Sequence, residues 1–352
     1  MGGGGWDVSV HYATNAAKAA AGRSTFDYYD DVKAGRVAAK VHELLDPTKP
    51  AGSNSPFAGK VMREVCVTDE HPDPTAILIW LDVTGSNYTA AKIVHKKLPK
   101  LQSYLQQGNF CADPQINVSA IGDANSDDFP LQFGQYESDN RMDAQIAALI
   151  LEGNGGGQRS ETYELGAYMA ARHVNLEPYE LFGKKGFVFF IGDEMPYLTI
   201  KNDYARGRWG SVAAHTLQSL TGDTIDEPIA TKAIFDELRQ KNNVFFLFQK
   251  QGAYSKKEIV PIWEEMLGEE NVVILDDPNS VVEVIAAIIA RFEGELNAQE
   301  TAKAMLAAGG DARVVASAVN AIEKFNPVTF GGGRLAKVDG NINLGGAGAD
   351  RL

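Results

Sequence analysis

The sequence has few cysteines and no long apolar run. Its 352 residues include two cysteines, Cys66 and Cys111, which form no Cys-x-x-Cys motif. This excludes a disulfide framework and favours a reducing compartment. No apolar stretch approaches the ~20 residues of a membrane-spanning helix, and the start, MGGGGWDVSVHY, lacks the basic and apolar regions of a signal peptide. We therefore expect a cytoplasmic protein with no membrane partner.

Positive charge is also scarce. The chain has 33 Lys and Arg against 46 Asp and Glu, giving a formal net charge of -13. A balance of this sign argues against a nucleic-acid-binding surface. Short basic runs such as HKKLPK fall at predicted helix ends, where cations interact favourably with the helix dipole. We expect no nucleic acid among the partners.

The central part of the chain alternates apolar runs with helical patterns. The predicted strands span 76–82, 116–122, 186–192, 243–249 and 271–275, with a short antiparallel edge strand at 131–136. The predicted helices span 87–106, 141–152, 162–174, 230–241, 257–268 and 279–296. Most of the strands are continuously apolar, as expected when helices cover both faces of a parallel sheet. This pattern predicts an α/β fold with a doubly wound, mostly parallel sheet and helices on both faces.

The two ends of the chain differ from this centre. Residues 1–60 are rich in Ala and polar residues and contain a Pro/Gly/Ser stretch, which is typical of an extension or linker. The alternating pattern occupies 61–296. Residues 297–352 suit two short helices followed by a Gly-rich, flexible tail. We therefore expect one central domain with two flanking segments.

Carboxylates and hydroxyls follow several of the predicted strands. Asp82, Thr84 and Ser86 follow the first strand, Asp193 follows the third, and Thr162 precedes a predicted helix between them. In a doubly wound sheet, ligands bind at the carboxyl ends of the strands. Carboxylate and hydroxyl oxygens suit a hard cation such as Mg²⁺. These side chains could therefore meet at one ion.

The arrangement resembles a von Willebrand factor A domain with a metal-ion-dependent adhesion site. That family has Asp-x-Ser/Thr-x-Ser after the first strand, a later Thr, and an Asp after the following strand. The matching elements here are DVTGS at 82–86, Thr162 in SETYELG and Asp193 in IGDE. The family often has Asp-Gly at the last point, so Glu194 departs from its pattern. The likeness covers 61–296 and is nearest to a bacterial and phage branch of the family.

The resemblance implies a protein-binding module and not an enzyme. Asp82, Ser86 and Thr162 would hold Mg²⁺, or Mn²⁺ or Ca²⁺, directly or through water, while Thr84 and Asp193 would orient coordinating waters. An open coordination position would accept a carboxylate of a protein partner. Intracellular bacterial members of the family often work with AAA+ ATPases of the MoxR type or inside larger assemblies, so such an ATPase is a possible partner.

Three other interpretations of the same residues stay open. DVTGS also resembles the phosphorylation motif of haloacid-dehalogenase-type ATPases, which would make the chain a Mg²⁺-dependent phosphohydrolase with Asp82 as nucleophile. Alternatively, Thr84 and Ser86 form only a turn and a helix cap. A third possibility is a structural assembly subunit whose metal site is vestigial.

A long connection after Asp193 is the candidate for partner specificity. It runs to about residue 228, and long connections in compact domains are usually functional or disordered. It carries aromatic and Arg side chains of the kinds enriched at interface hot spots, namely Tyr197, Tyr204, Arg206, Arg208 and Trp209. We expect Arg206, Arg208 and Trp209 to bind the partner beside the metal. The alternative is that the aromatics pack this segment onto its own domain.

Overall fold

A computed structural model describes residues 5–85, 89–152, 159–201, 213–250 and 254–323. The helices in these ranges are α1 Val8–Ala20, α2 Asp27–Lys33, α3 Thr89–Gln102, α4 Arg141–Ala147, α5 Tyr163–Arg172, α6 Glu177–Phe182, α7 Ala213–Thr221, α8 Thr231–Lys241, α9 Lys256–Leu267, α10 Val281–Phe292, α11 Ala298–Ala307 and α12 Ala312–Ala321. The strands are β1 Arg63–Val65, β2 Thr75–Asp82, β3 Pro114–Ile121, β4 Leu131–Gln132, β5 Ser160–Glu161, β6 Val174–Leu176, β7 Gly186–Gly192, β8 Met195–Pro196, β9 Thr199–Ile200, β10 Ile229–Ala230, β11 Asn242–Gln249 and β12 Val272–Leu275.

A mostly parallel, six-stranded sheet forms the centre of this mixed α/β structure. Its strand order is β12-β11-β7-β2-β3-β4, and every neighbouring pair is parallel except β3 and β4. The five long strands predicted from the sequence are confirmed. The predicted antiparallel edge strand is also confirmed as β4, although it is shorter than predicted. The predicted helices are present and most are shorter than predicted; the one expected at 279–296 spans Val281–Phe292, whereas the one expected at 257–268 spans Lys256–Leu267.

The sheet separates two apolar clusters, and β2 contributes to both. Ile77, Ile79 and Leu81 belong to one cluster, together with residues of α3 and α10. Leu78 and Trp80 belong to the other, together with residues of α5, α8 and α9. Successive side chains of a strand point to opposite faces of a sheet, so a continuous apolar run supplies both clusters. All eight residues of β2 are buried, and Asp82 is the last of them.

Both flanking segments pack against the central part. Near the N-terminus, Trp6 Nε1 donates to Asp143 Oδ2 of α4 at 3.1 Å, and Phe26 is buried in the first apolar cluster. Met305 of α11 and Val315 of α12 are buried in that same cluster. The two short helices expected after residue 297 are therefore confirmed. No helix was predicted within 1–60, so the sequence analysis missed α1 and α2. The Gly-rich tail lies outside the described residues.

The structure also shows the state of the two cysteines and the lengths of the helices, which bear on the predictions about disulfide bonds and membrane-spanning segments. Cys111 is buried, Cys66 is half-buried, and both are free thiols. None of the helices that the structure describes has the length and the apolar character needed to cross a lipid bilayer.

Candidate functional site

The register of the sheet brings the ends of three strands together. Asp82, the last residue of β2, pairs with Ile121 of β3. The residue before it, Leu81, pairs with Ile191 of β7, so Asp82 is level with Gly192. Asp82 is fully buried. The carboxyl ends of β2, β3 and β7 therefore form one edge, and Asp82 lies at its centre.

The loop after β2 is organised around the Asp82 carboxylate. The backbone N–H of Thr84 donates to Asp82 Oδ1 at 2.9 Å, and the Thr84 hydroxyl lies 2.6 Å from the same oxygen. Gly85 has a φ of 44°, a left-handed conformation that glycine adopts without steric cost. The Asp, Thr and Gly residues at positions 82, 84 and 85 therefore determine the backbone conformation of this loop. Ser86, which was also predicted as a ligand, lies outside the described residues.

The other oxygen of Asp82 is held by a residue that the sequence analysis did not identify. The hydroxyl of Tyr163, at the start of α5, donates to Asp82 Oδ2 at 2.9 Å. Gly192 makes room for this contact. A Cβ at that position would overlap the Tyr163 hydroxyl and lie 3.1 Å from Asp82 Oδ2. The glycine in IGDE is therefore required by the close approach of Tyr163 to the strand edge.

Glu161 is a second residue that the sequence analysis did not assign to the site. It lies in β5, whose parallel pairing with β8 sets Glu161 opposite Pro196. Its Oε1 lies 3.0 Å from the Thr84 hydroxyl. Its Oε2 and Glu194 Oε2 are buried and have no hydrogen-bond partner among the described residues. The sequence offered one signal for these two residues. Glu161 and Tyr163 flank Thr162, which was predicted to belong to the site.

Burial and neighbouring acids raise the pKa values of these carboxyl groups. Burial raises the pKa of Asp82 to about 7, and Asp193 adds to this effect while hydrogen bonds oppose it. Burial, with repulsion from Asp82, raises the pKa of Glu194 to about 8. The same two causes raise the pKa of Glu161 well above its usual range. A cation bound among these groups would favour their ionised forms.

Thr162 reaches the same edge but faces a different loop. Its hydroxyl donates to the carbonyl oxygen of Gly122 at 2.5 Å and accepts from the N–H of Ala124 at 3.2 Å. Thr162 thus fixes the start of α5 to the loop after β3. Asp193, directly after β7, is buried, and its charge acts on Asp82. Of the predicted residues, the structure therefore joins Asp82 to Thr84 by hydrogen bonds and to Asp193 by charge, whereas Thr162 bonds to the loop after β3.

The loop after β3 is stabilised by its own aspartate. Asp123 is fully buried. Its carboxylate accepts from the N–H of Asn125 at 3.0 Å and from the hydroxyl of Tyr197 at 3.1 Å. Tyr197 itself is buried. For this residue the structure fits the alternative in which the aromatics pack the segment onto its own domain. Arg206, Arg208 and Trp209, like Tyr204, lie outside the described residues.

The donor set around Asp82 consists of oxygen atoms. Within the described ranges, no three His, Cys, Asp or Glu side chains come together in a way that could hold a metal ion. The oxygens that do converge are the carboxylates of Asp82 and Glu161 and the hydroxyl between them. Oxygen donors of this kind, completed by water, fit Mg²⁺ better than Zn²⁺ or copper.

Three solved structures are similar to part of this chain, each at low sequence identity. No protein-family model matches the chain, and no curated protein matches it. Among solved structures, 91 chains match. The open conformation of the pilus adhesin SpaC from Lactobacillus rhamnosus GG has 12% identity and a TM-score of 0.45, covering 66% of this chain and 31% of that one. The pilus adhesin RrgA from Streptococcus pneumoniae has 8% identity and a TM-score of 0.33, with coverages of 60% and 43%.

Proximal thread matrix protein 1 from the mussel byssus is also similar in part. It has 14% identity and a TM-score of 0.32, and the match covers 62% of this chain and 47% of that one. In all three cases the matched region is less than half of the other protein's chain. Because these TM-scores lie below 0.5, we draw nothing about fold or function from them.

Proposed function

We propose that this protein is a metal-dependent protein-binding module of the von Willebrand factor A type, built on a doubly wound sheet. The observation that carries the proposal is the site at Asp82. A buried carboxylate at the centre of a strand edge is hydrogen-bonded to Thr84 and lies beside buried carboxylate oxygens that have no partner among the described residues. Buried carboxylates are expensive unless a counter-charge or hydrogen bonds compensate them.

The residues proposed to hold the ion are those expected from the sequence. Asp82, Ser86 and Thr162 would bind Mg²⁺ directly or through water, with Thr84 and Asp193 orienting the waters. The unpartnered oxygens of Glu161 and Glu194 support the fit, because they add acceptor capacity that a cation would use. When bound, the ion supplies a positive point at which a carboxylate of another protein can coordinate.

The protein's own side chains prepare this site without taking part in turnover. Tyr163 and Thr84 hold the two oxygens of Asp82 in fixed directions. The fully buried position of Asp82 favours ligation over nucleophilic attack, since an attacking oxygen must reach its substrate. An acidic protein that presents a cation can recruit an acidic partner without a basic surface. An AAA+ ATPase of the MoxR type and a cytoplasmic setting remain predictions.

Partner capture with and without the ion tests the proposal. The full chain is immobilised and exposed to a bacterial lysate, once with Mg²⁺ and once with EDTA. Asp82→Asn serves as the matched control because the amide keeps the size and one acceptor oxygen of the carboxylate. We expect a partner that is retained only by the wild type and only with Mg²⁺. Capture that is equal in EDTA, or equal for Asp82→Asn, contradicts the proposal.

A further inference from the structure

Glu161 carries an oxygen that no described group satisfies. The residue is 2% exposed, and its Oε2 is buried with no hydrogen-bond partner among the described residues. Leaving a buried carboxylate oxygen unpaired is costly. The cost is relieved when another group coordinates that oxygen. Within the described residues, that oxygen is therefore open to a further ligand.

The second oxygen of Glu161 belongs to a short chain of three oxygens. Thr84 Oγ1 lies 3.0 Å from Glu161 Oε1 and 2.6 Å from Asp82 Oδ1. A hydroxyl has one hydrogen, so it satisfies only one of these two carboxylates fully. When both carboxylates are ionised, as a bound cation would favour, one of them therefore needs a further partner.

A cation shared with Asp82 would supply the partner that the unpaired oxygen of Glu161 lacks. The two carboxylates already meet at the Thr84 hydroxyl, which lies 2.6 Å from Asp82 Oδ1 and 3.0 Å from Glu161 Oε1. Carboxylate oxygens are the ligands that Mg²⁺ prefers. We infer that Glu161 is a direct ligand of the ion, an inference that rests on the proposed function. The site then presents two carboxylates and not one.

Coordination by Glu161 would change how strongly the ion attracts a carboxylate of a partner protein. Asp82 and Glu161 together neutralise the formal charge of a divalent cation. A site of that kind holds the ion more firmly, and attracts an incoming carboxylate less strongly, than a site with Asp82 alone. Glu161 should therefore raise ion affinity at some expense of partner affinity.

Isothermal titration calorimetry of Mn²⁺ binding to the purified protein tests the inference. Glu161→Gln keeps the shape of the side chain and removes its charge. We expect this variant to bind Mn²⁺ at least tenfold more weakly than the wild type. The matched control is Glu152→Gln. Glu152 also has a buried, unpartnered Oε2 among the described residues, but its Oε1 accepts from the N–H of Phe129. This control should bind Mn²⁺ as the wild type does.

A double-mutant comparison separates a ligand from a positioning residue. If Glu161 acts only through the Thr84 hydroxyl, then Glu161→Gln has no further effect once Thr84→Val is in place. A direct ligand predicts a further loss of about tenfold in the double variant, and partial recovery of affinity with Glu161→Asp. Wild-type affinity in Glu161→Gln, or no added loss in the double variant, overturns the inference while the proposed function stands. No Mn²⁺ binding by the wild type overturns both.

Discussion

The hydroxyl of Tyr163 donates to Oδ2 of Asp82 at 2.9 Å, although the two residues are 81 positions apart in the chain. The contact joins the start of α5 to the end of β2, and both side chains are fully buried. The other carboxylate oxygen of Asp82, Oδ1, accepts its hydrogen bonds from Thr84. The orientation of the central carboxylate is therefore set by the packing of α5 against the sheet.

Tyr163→Phe should weaken both the metal-free fold and ion binding. The change leaves Asp82 Oδ2 without its donor inside a buried site, which costs about 1–3 kcal/mol of unfolding free energy. Urea denaturation in EDTA measures the loss. Tyr168→Phe is the matched control, since its hydroxyl donates to the part-exposed Asp223 and its removal should cost less. Equal losses in the two variants would contradict the central role of the Tyr163 contact.

Gly192→Ala should disrupt the same contact by steric overlap. The added Cβ would lie 1.9 Å from the Tyr163 hydroxyl oxygen and 3.1 Å from Asp82 Oδ2. Overpacking of this kind costs about 1–3 kcal/mol. The control is Gly52→Ala, where an added Cβ meets nothing within 4 Å. Melting curves should show a clear loss for position 192 and little change for position 52. A neutral Gly192→Ala variant would show that the strand edge is looser than described.

His95 makes the stability of the fold sensitive to acid. Burial lowers the pKa of His95 to about 4, whereas the unfolded side chain titrates near 6.5. The folded-state pKa is the lower of the two, so the unfolded chain takes up the proton first. The stabilisation is complete above pH ~6.5 and is lost as the pH falls towards about 4.

The matched comparison for this prediction is the aromatic variant His95→Phe, which cannot titrate. The ring sits against His11 and Phe26, so an aromatic replacement keeps the packing. Unfolding free energies measured from pH 7 to pH 4 should fall more steeply for the wild type, by on the order of 2–3 kcal/mol at the acid end. Parallel curves for the two proteins would contradict the assignment.

The phosphohydrolase alternative predicts a covalent intermediate that the binding module lacks. Incubation with ATP or acetyl phosphate and Mg²⁺, followed by an acid quench, should leave no hydroxylamine-sensitive phosphate on the protein. The physical reason is that Asp82 is fully buried and both of its oxygens accept hydrogen bonds. A phosphoryl adduct that is absent from Asp82→Asn would instead establish the enzyme.

Partner specificity is predicted to lie in the connection that follows Asp193 and runs to about residue 228. Arg208→Ala and Trp209→Ala should reduce the Mg²⁺-dependent capture of a partner from lysate while leaving the thermal shift with Mg²⁺ unchanged. The reason is that aromatic and Arg side chains dominate the energetics of interfaces, whereas the proposed ion would serve as a common anchor. Arg159→Ala is a control outside the segment, since that side chain is paired with Glu258. Normal capture by both segment variants would place specificity elsewhere.

The sequence predicted those parts of the site that depend on neighbouring residues. Asp82, Thr84 and Gly85 form their loop through contacts over two positions, so the motif itself carries the geometry. The apolar runs of β2 and β7 likewise predicted a sheet covered on both faces. These features follow from local chemistry and hydrophobic pattern.

The contacts of Glu161 and Tyr163 could not be predicted from neighbouring residues in the sequence. Each reaches the Asp82 loop across more than 70 positions, and the pairing of β5 with β8 that places Glu161 involves only two residues per strand. Such short pairings leave no periodic pattern. The helix α1 was missed for another reason. Its N-cap, Asp7, accepts from the N–H of Ser9 at 2.7 Å, but a Gly-rich start and many polar residues obscured the signal.

The most direct measurement for the central claim is the thermal unfolding of the full chain with and without divalent cations. A cation that binds only the folded state raises the melting temperature by mass action, by on the order of 5 °C when it is present at 100 times its dissociation constant. We predict such a rise with millimolar Mg²⁺ or Mn²⁺ for the wild type and its absence in Asp82→Asn. A wild-type melting temperature that does not change when Mg²⁺, Mn²⁺ or Ca²⁺ is added would contradict the account.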